Sequence, residues 1–208
     1  MQSIGIFGGT FDPPHLGHLI LAAEACAQLG LARLLWVLTL APPHKQGQSI
    51  APLEQRLEMV RLAIGDDPQF ELSNVDISRP GPHYALDTVK LLAGQNPGAE
   101  LVYLMGGDSL HDLLTWHRPA DFVSACHRIG VMRRPGDAVE LAVLEKELPG
   151  LTAKVRFVDA PLFDIAAHDI RARIAQGRPF RYFLTEGVFM YIIEHNLYRQ
   201  SQSEKTSA

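Results

Sequence analysis

The 208-residue chain is poor in cysteine and has no long apolar run. Cys26 and Cys126 both stand in apolar surroundings with no partner at metal-ligand spacing, so we expect reduced, buried thiols. The amino terminus lacks a basic segment followed by an apolar core and a small-residue cleavage site, and no apolar run approaches the roughly 20 residues that span a bilayer. A cytoplasmic, soluble protein is therefore predicted, with no membrane partner.

The chain also lacks an excess of positive charge. Its 19 basic and 23 acidic residues give a formal net charge of −4, and no basic stripe follows the sequence. A protein that reads nucleic-acid sequence is therefore disfavoured. Internal repeats are absent too, and a hydrophobic content of 47% is enough for a core without disulfides. We expect one domain over residues 1–199, with a helical part at about 165–199, and a disordered tail at 200–208.

Apolar runs of strand length alternate with stretches of helical period. This pattern predicts an α/β fold, a Rossmann-like open and mostly parallel sheet with helices on both faces and a small helical extension at the carboxyl end. Strands are expected at residues 3–7, 34–38, 70–77, 101–105, 128–132 and 155–158. Helices are expected at about 15–29, from 52, from about 84 to 95, at about 138–148, and twice within 168–197, with a break near Pro179.

The most informative stretch reads GGTFDPPHLGH, from Gly8 to His18. Its glycine pair stands where the first strand meets the first helix, so backbone N–H groups can approach an anion there and the helix terminus adds about half a positive charge. His15 and His18 would project from one side and could donate to phosphate oxygens in a transition state. Taken singly, such features are more often a tight turn, a cap or a packing residue. A zinc site would need a third ligand, which no suggestive spacing supplies.

Two further stretches follow predicted strands and point to the same edge of the sheet. Lys45 lies in a proline- and glycine-containing loop after the second strand, where it could reach over a site at the strand ends. The fourth strand ends in Gly106-Gly107-Asp108, and open α/β sheets bind ligands at such ends. The Walker phosphate loop and the Gly-x-Gly-x-x-Gly fingerprint are both absent, so the predicted phosphate site is of another kind.

The Gly8–His18 stretch resembles the Gly-x-Phe-Asp-Pro-x-His-x-Gly-His signature of nucleotidyltransferases whose active site is of the class I aminoacyl-tRNA synthetase type. That resemblance implies that His15 and His18 flank the α-phosphate of ATP as catalytic residues. It also implies that the flanking backbone holds the phosphates. The residues of that turn are Gly8, Gly9, Thr10 and Phe11.

Over nearly its whole length the chain is similar to the bacterial nicotinate-nucleotide adenylyltransferases. The stretches that carry this resemblance are Pro42-Pro43-His44-Lys45, Tyr84-x-x-Asp87-Thr88, Gly106-Gly107-Asp108, Thr115-Trp116-His117-Arg118 and Arg134-Pro135-Gly136. The resemblance implies adenylyl transfer from ATP to nicotinate mononucleotide, which gives deamido-NAD and pyrophosphate. The implied ATP ligands beyond the first turn are Lys45, Gly106, Asp108 and Arg171. The implied acceptor ligands are Tyr84, Asp87, Thr88, Trp116 and Arg134.

Trp116 has a direct physical use in such a site, because a pyridine ring can stack on an indole face. A core position is the alternative for this tryptophan, but the polar neighbours His117 and Arg118 favour the ligand. Mg²⁺ is expected to arrive on ATP, since the sequence offers no carboxylate cluster for an all-protein cage. Neither a monomer nor a homo-oligomer is excluded.

The chain departs from the family pattern near its carboxyl end. Family members carry Ile-Ser-Ser-Thr-x-Ile-Arg, whereas residues 165–171 read IAAHDIR, so three hydroxyls are missing. Arg171 and the helix start remain, and His168 could donate in place of the threonine. Because of Ala166 and Ala167, one alternative is a regulator that keeps the fold and binds a nucleotide but has lost turnover. A second alternative is a related adenylyltransferase for nicotinamide mononucleotide, phosphopantetheine or a flavin mononucleotide, although Trp116 and Tyr84 favour a pyridine nucleotide.

Overall fold

A six-stranded parallel sheet organises the fold in the computed structural model, which describes residues 2–40, 50–132, 140–161 and 165–199. The order across the sheet is β3-β2-β1-β4-β5-β6. The strands are β1 (Ser3–Gly9), β2 (Arg33–Leu38), β3 (Phe70–Ser73), β4 (Glu100–Gly106), β5 (Arg128–Met132) and β6 (Val155–Val158). Every neighbouring pair runs parallel. The connection changes direction beside β1, so a crevice opens between the carboxyl ends of β1 and β4, as in doubly wound folds. The predicted fold class is confirmed.

Helices cover both faces of the sheet. They are α1 (Leu16–Leu29), α2 (Leu53–Ile64), α3 (Ala85–Gln95), α4 (Gly107–His111), α5 (Pro119–Ala125), α6 (Leu141–Glu147), α7 (Leu151–Lys154), α8 (Ala167–Ala175) and α9 (Glu186–Glu194). Within the described ranges, short 3-10 helices cover Asp112–Thr115 and Arg181–Phe183. Among the helices of the described residues, none is long and apolar enough to cross a membrane.

The alternation of side chains along β2 shows why its sequence is apolar throughout. Leu35 and Val37 pack into the cluster that contains α3 and α5, whereas Leu34, Trp36 and Leu38 pack into the cluster that contains α1 and α2. A strand with helices on both faces has no solvent side, so it needs apolar residues at successive positions.

The carboxyl-terminal helices pack on α2 rather than on the sheet. Leu57 and Val60 of α2 belong to the sheet cluster, while Met59 and Ala63 belong to a third cluster with α8 and α9. The residues that α8 and α9 bury there are Ile170, Ile174, Val188 and Ile192. The two predicted helices on either side of Pro179 are therefore present, and α2 connects them to the sheet.

The third strand is shorter than the apolar pattern predicts. It ends at Ser73, and residues 75–78 form a turn instead of continuing to Ile77. The Ser78 backbone N–H and hydroxyl both donate to the carbonyl of Asn74, at 3.0 Å each. Serine and asparagine offer the backbone such local bonds in competition with a strand ladder. The prediction of a strand over 70–77 is wrong in its second half.

Candidate active site

The Gly8–His18 turn lies at the crevice between β1 and β4. Phe7 pairs with Leu104 in the register of these strands, so Gly9 stands level with Gly106 at the two strand ends. A β-carbon on Gly9 would lie 2.7 Å from the ring of Phe11, because the turn folds this ring back over the glycine. Only glycine permits that approach, so the second glycine of the pair shapes the turn.

The rings of His15 and His18 lie on one side of the helix start, as their spacing predicts, and there they are stacked on each other. Their ring centroids are 3.7 Å apart with an interplanar angle of 28°. His15 caps α1 and is buried, and its backbone N–H donates to Nδ1 of His18 at 3.1 Å. Because Nδ1 of His18 accepts this bond, the proton of its neutral ring lies on Nε2. The hydrogen bond and the stacking together hold the two rings at the start of α1.

Phe11 connects the histidines to the core. Its backbone is in the left-handed region at φ 49°, which is uncommon for a bulky residue. Its ring is buried and packs edge-on against Phe7 and His18 and at a tilt against Trp36, with centroids 5.0–5.4 Å apart. The predicted contribution of Phe11 to ATP binding can therefore come only from its backbone.

Asp12, next in the turn, is buried and joins distant parts of the chain. Its Oδ1 accepts a hydrogen bond from the Tyr198 hydroxyl at 2.6 Å. Its carbonyl oxygen accepts one from Nη1 of Arg171, also at 2.6 Å, and the same Nη1 lies 3.7 Å from Oδ2. The structure therefore places Arg171 of α8 beside the Gly8–His18 turn, while its contact with ATP stays a prediction. The contact of Tyr198 was not predicted from the sequence, because nothing in its neighbouring residues distinguishes it from a surface tyrosine.

Arg56 is a second residue that sequence reasoning missed. It is buried in the first turns of α2 and donates to four carbonyl oxygens at 2.8–3.1 Å, those of Ala51, Thr10, Thr39 and Leu40. Burial lowers the pKa of its guanidinium, an effect that nearby Asp12 partly offsets. A signal was present, since Arg56 falls three residues after Leu53 on the apolar face of the helix. A cation on such a face must find buried acceptors.

A cavity of about 260 Å³ adjoins the turn. Its lining includes Gly8, Thr39, Asp76, His83, Tyr84, Thr88, Tyr103, Trp116 and His117. Trp116 is partly buried and packs against Phe122 and Tyr103, with centroids 5.1 and 6.1 Å apart. The tryptophan thus both packs on the core and lines the cavity. Tyr84 is stacked on exposed His117, with centroids 4.0 Å apart.

One wall of the cavity is a buried polar network. The Thr88 hydroxyl donates to the carboxylate of Asp76, 2.8 Å from Oδ1, and Arg79 donates to Oδ1 through Nη2 at 2.8 Å and Nε at 3.0 Å. The predicted acceptor residue Thr88 therefore lines the cavity with its proton already directed to Asp76. Burial raises the pKa of Tyr103, another lining residue that the sequence analysis did not single out.

The remaining predicted residues are placed unevenly. Asp108 is exposed in the first turn of α4, at the end of β4. His168 has a 74% exposed side chain with Nε2 3.2 Å from Asp169, and Asp87 is half-buried in the first turn of α3. Lys45 and Arg134 lie outside the described residues. Within the described ranges, no group of three or more His, Cys, Asp and Glu side chains could hold a metal ion.

The chain is similar to known proteins both in sequence and in fold. Residues 6–173 match the model of the cytidylyltransferase-like family. A protein of Thermomicrobium roseum named "Probable nicotinate-nucleotide adenylyltransferase" is 47% identical over 96% of this chain and 92% of its own length. A protein of Roseiflexus sp. with the same name is 45% identical over 94% of this chain and 98% of its own. The Plasmodium falciparum nicotinic acid mononucleotide adenylyltransferase complexed with NaAD has the same fold, with a TM-score of 0.79 at 18% identity over 95% of this chain and 98% of its own.

Proposed function

The chain belongs to the cytidylyltransferase-like family, and we propose that it acts there as a nicotinate-nucleotide adenylyltransferase. It joins ATP and nicotinate mononucleotide, releases pyrophosphate and forms deamido-NAD, a step of NAD biosynthesis. The observation that carries this proposal is the direct contact between two sites. Gly8 belongs to the phosphate turn and also lines the aromatic cavity. A nucleotide on the turn and a pyridine nucleotide in the cavity would therefore meet.

The reaction needs alignment more than covalent chemistry. An oxygen of the acceptor's 5′-phosphate attacks the α-phosphorus of ATP, and the bond to the pyrophosphate oxygen breaks. A phosphate monoester is already nucleophilic near neutral pH, so the protein aligns the reactants and stabilises spreading charge. His15 and His18 are assigned to the α-phosphate, where ring N–H groups donate to oxygens that gain charge.

ATP would bind across the crevice. The backbone of Gly8, Gly9 and Thr10 holds its phosphates on one side, and Gly106 and Asp108 at the end of β4 face its nucleoside. Arg171 approaches the phosphates from α8, and Lys45 is assigned to the same group. The start of α8 offers backbone N–H groups in place of the missing hydroxyls, and its dipole favours an anion there.

The acceptor would bind in the cavity. Trp116 and Tyr84 present aromatic faces to a pyridine ring. Asp87, Thr88 and Arg134 complete the proposed acceptor site, with Thr88 acting through its contact to Asp76.

Mg²⁺ is assigned to ATP rather than to a protein cage. The carboxylate of Asp12 accepts hydrogen bonds from Tyr198 and Ala51. In the described part of the chain, no cluster of three or more His, Cys, Asp and Glu side chains could hold a metal ion. Phosphate oxygens and water suit this ion, which usually retains several waters. When bound, it neutralises charge on the leaving pyrophosphate.

The proposal is tested by pyrophosphate release with ATP and each of four acceptors: nicotinate mononucleotide, nicotinamide mononucleotide, phosphopantetheine and flavin mononucleotide. Nicotinate mononucleotide should be turned over with the highest kcat/KM. His18→Ala should lower kcat about 100-fold, the usual loss for one transition-state donor. His195→Ala, which alters an exposed histidine beyond α9, is the matched control and should leave kcat unchanged. Release that is undiminished in His18→Ala contradicts the assigned role, and ATP binding without release with any acceptor favours the regulator.

A further inference from the structure

We propose that Tyr198 is a positioning residue for ATP binding, which holds the Gly8–His18 turn and Arg171 in place through Asp12. The proposal rests on the function proposed above only for the identity of the nucleotide. Its starting observation is a contact across 186 positions of sequence, between the turn that follows α9 and the turn that follows β1.

The contact has the geometry of a strong hydrogen bond. The Tyr198 oxygen lies 2.6 Å from Oδ1 of Asp12, within the range of charge-assisted O–H···O bonds. Asp12 is 3% exposed, so its carboxylate is shielded from solvent. The phenol therefore supplies a hydrogen bond that water would otherwise supply. Burial and the charge of Asp12 raise the pKa of the Tyr198 phenol, which therefore stays protonated and continues to donate.

The bond fixes one end of a chain of contacts that reaches the proposed ATP site. Oδ1 of Asp12 accepts from Tyr198 and, at 3.4 Å, from the backbone of Ala51, while Oδ2 and the carbonyl face Nη1 of Arg171. Both contacts of Arg171 use Nη1, and among the described residues neither Nε nor Nη2 has a hydrogen-bond partner. Arg171 can thus remain held by Asp12 while its other nitrogens face a phosphate.

The local backbone is arranged to deliver the phenol. Tyr198 has φ 64°, a left-handed conformation that bulky residues rarely adopt, and Asn196 has φ 50°. Leu197 between them is buried in the third cluster, and its N–H donates to the carbonyl of Ile192 at 3.0 Å. The buried leucine therefore anchors the turn and directs the next side chain towards Asp12.

Tyr198→Phe tests the proposal, because it removes the hydroxyl and keeps the ring. ATP affinity is measured by calorimetry without an acceptor, and KM is then measured for both substrates. The Kd and KM for ATP should rise about tenfold, as for loss of one hydrogen bond to a charged group, while KM for the acceptor stays unchanged. Tyr182→Phe, at an 86% exposed position, should change none of these values.

A double-mutant cycle tests the route of the effect. In an Arg171→Lys background, Tyr198→Phe should weaken ATP binding less than it does in the wild type, because the residue through which it acts has been altered. Circular dichroism of each variant verifies that the proteins compared are folded.

Three results would overturn the proposal. One is a lower melting temperature of Tyr198→Phe with unchanged ATP affinity, another is an equal rise of KM for both substrates, and the third is full additivity with Arg171→Lys. Since the titration needs no acceptor, a wild-type chain that binds ATP but releases no pyrophosphate overturns the proposed function alone. A wild-type chain that does not bind ATP overturns both.

Discussion

At the residue scale, Gly17 is a position where helix stability and the geometry of the candidate site favour different residues. It lies in the first turn of α1, where a β-carbon would come within 3.0 Å of Nδ1 and 3.1 Å of Cε1 of His15. The ring of His15 is thus confined between Gly17 and the stacked ring of His18. The missing methyl group is what allows the histidine pair to assume this geometry.

Gly17→Ala should therefore reduce activity without reducing stability. The new methyl group displaces the His15 ring by a few tenths of an ångström, and we expect kcat to fall about tenfold or more, because misplaced catalytic groups lose alignment. Alanine favours a helix over glycine by up to about 1 kcal/mol, so the melting temperature should not fall. Steady-state kinetics and thermal unfolding measure the two effects.

Gly94→Ala is the matched control for this substitution. Gly94 also lies in a helix, α3, and has nothing within 4 Å of the position of a new β-carbon. Its replacement should leave kcat unchanged and raise stability slightly. A loss of activity in Gly94→Ala, or full activity in Gly17→Ala, would contradict the role assigned to Gly17.

At the scale of single elements, α2 connects three parts of the site through one side chain. Arg56 donates to the carbonyl of Thr10 in the Gly8–His18 turn, to those of Thr39 and Leu40 after β2, and to that of Ala51 before the helix. These carbonyls belong to loops and have no ladder partner in the sheet at these positions. The helix thus supplies the donors that the two strand ends lack.

Arg56→Met should destabilise the fold markedly. Methionine keeps the unbranched stem and the helix propensity but leaves four buried acceptors without a donor, so the free energy of unfolding should fall by about 2–4 kcal/mol. Urea unfolding measures this change. Arg61→Met, on the same helix with a 54% exposed side chain, should change it by about 0.5 kcal/mol or less. Equal effects of the two substitutions would show that Arg56 acts only as a surface residue.

The elements differ in how well their sequences predict them. The apolar runs of β1, β2, β4 and β5 are confirmed because these strands are largely buried on both faces, which leaves a strong local pattern. The expected strand β6 is also present, but it lies at the edge of the sheet and its Arg156 is exposed. The second half of the run at 70–77 is a turn, where serine and asparagine bonds compete with the strand. The short helices α4, α5 and α7, of four to seven residues, show too little periodicity to be recognised.

The residues of the candidate site also differ in how well the sequence predicts their arrangement. His15, His18 and Gly9 could be predicted because their arrangement depends on neighbours within the Gly8–His18 stretch. The tertiary contacts of Arg56 and Tyr198 could not, since they reach partners 16 to 186 positions away and only the fold reveals them, although the place of Arg56 on an apolar helix face indicates that it is buried. The contacts of Lys45 and Arg134 stay predictions, as do the catalytic and binding roles of all site residues.

At the scale of the whole molecule, the two cysteines lie on opposite faces of the sheet, so each can serve as a probe of the packing on its own face. Cys126 belongs to the cluster with α3 and α5, and Cys26 to the cluster with α1 and α2. Burial raises the pKa of the Cys26 thiol to about 11 and that of Cys126 to about 12. Both thiols are therefore almost entirely protonated at pH 8, and the thiolate is the reactive form.

Thiol labelling can test the prediction that residues 1–199 form one domain. Neither cysteine should react with a thiol reagent in the native protein at pH 8, and both should become reactive over the same range of urea concentration. Mass spectrometry of the labelled peptides distinguishes the two sites. Labelling of one cysteine at a urea concentration that leaves the other protected would show that the two faces unfold separately, which contradicts a single cooperative unit.

The bond between Tyr198 and Asp12 also has a consequence for the order in which the protein is made. Synthesis proceeds from the amino terminus, and domains acquire structure as they emerge from the ribosome. The Gly8–His18 turn leaves the ribosome early, but the carboxylate of Asp12 cannot meet Arg171 or the phenol of Tyr198 until these residues have been translated. The network of contacts around Asp12 can therefore form only after residue 198 has left the ribosome, some 186 residues later than Asp12 itself.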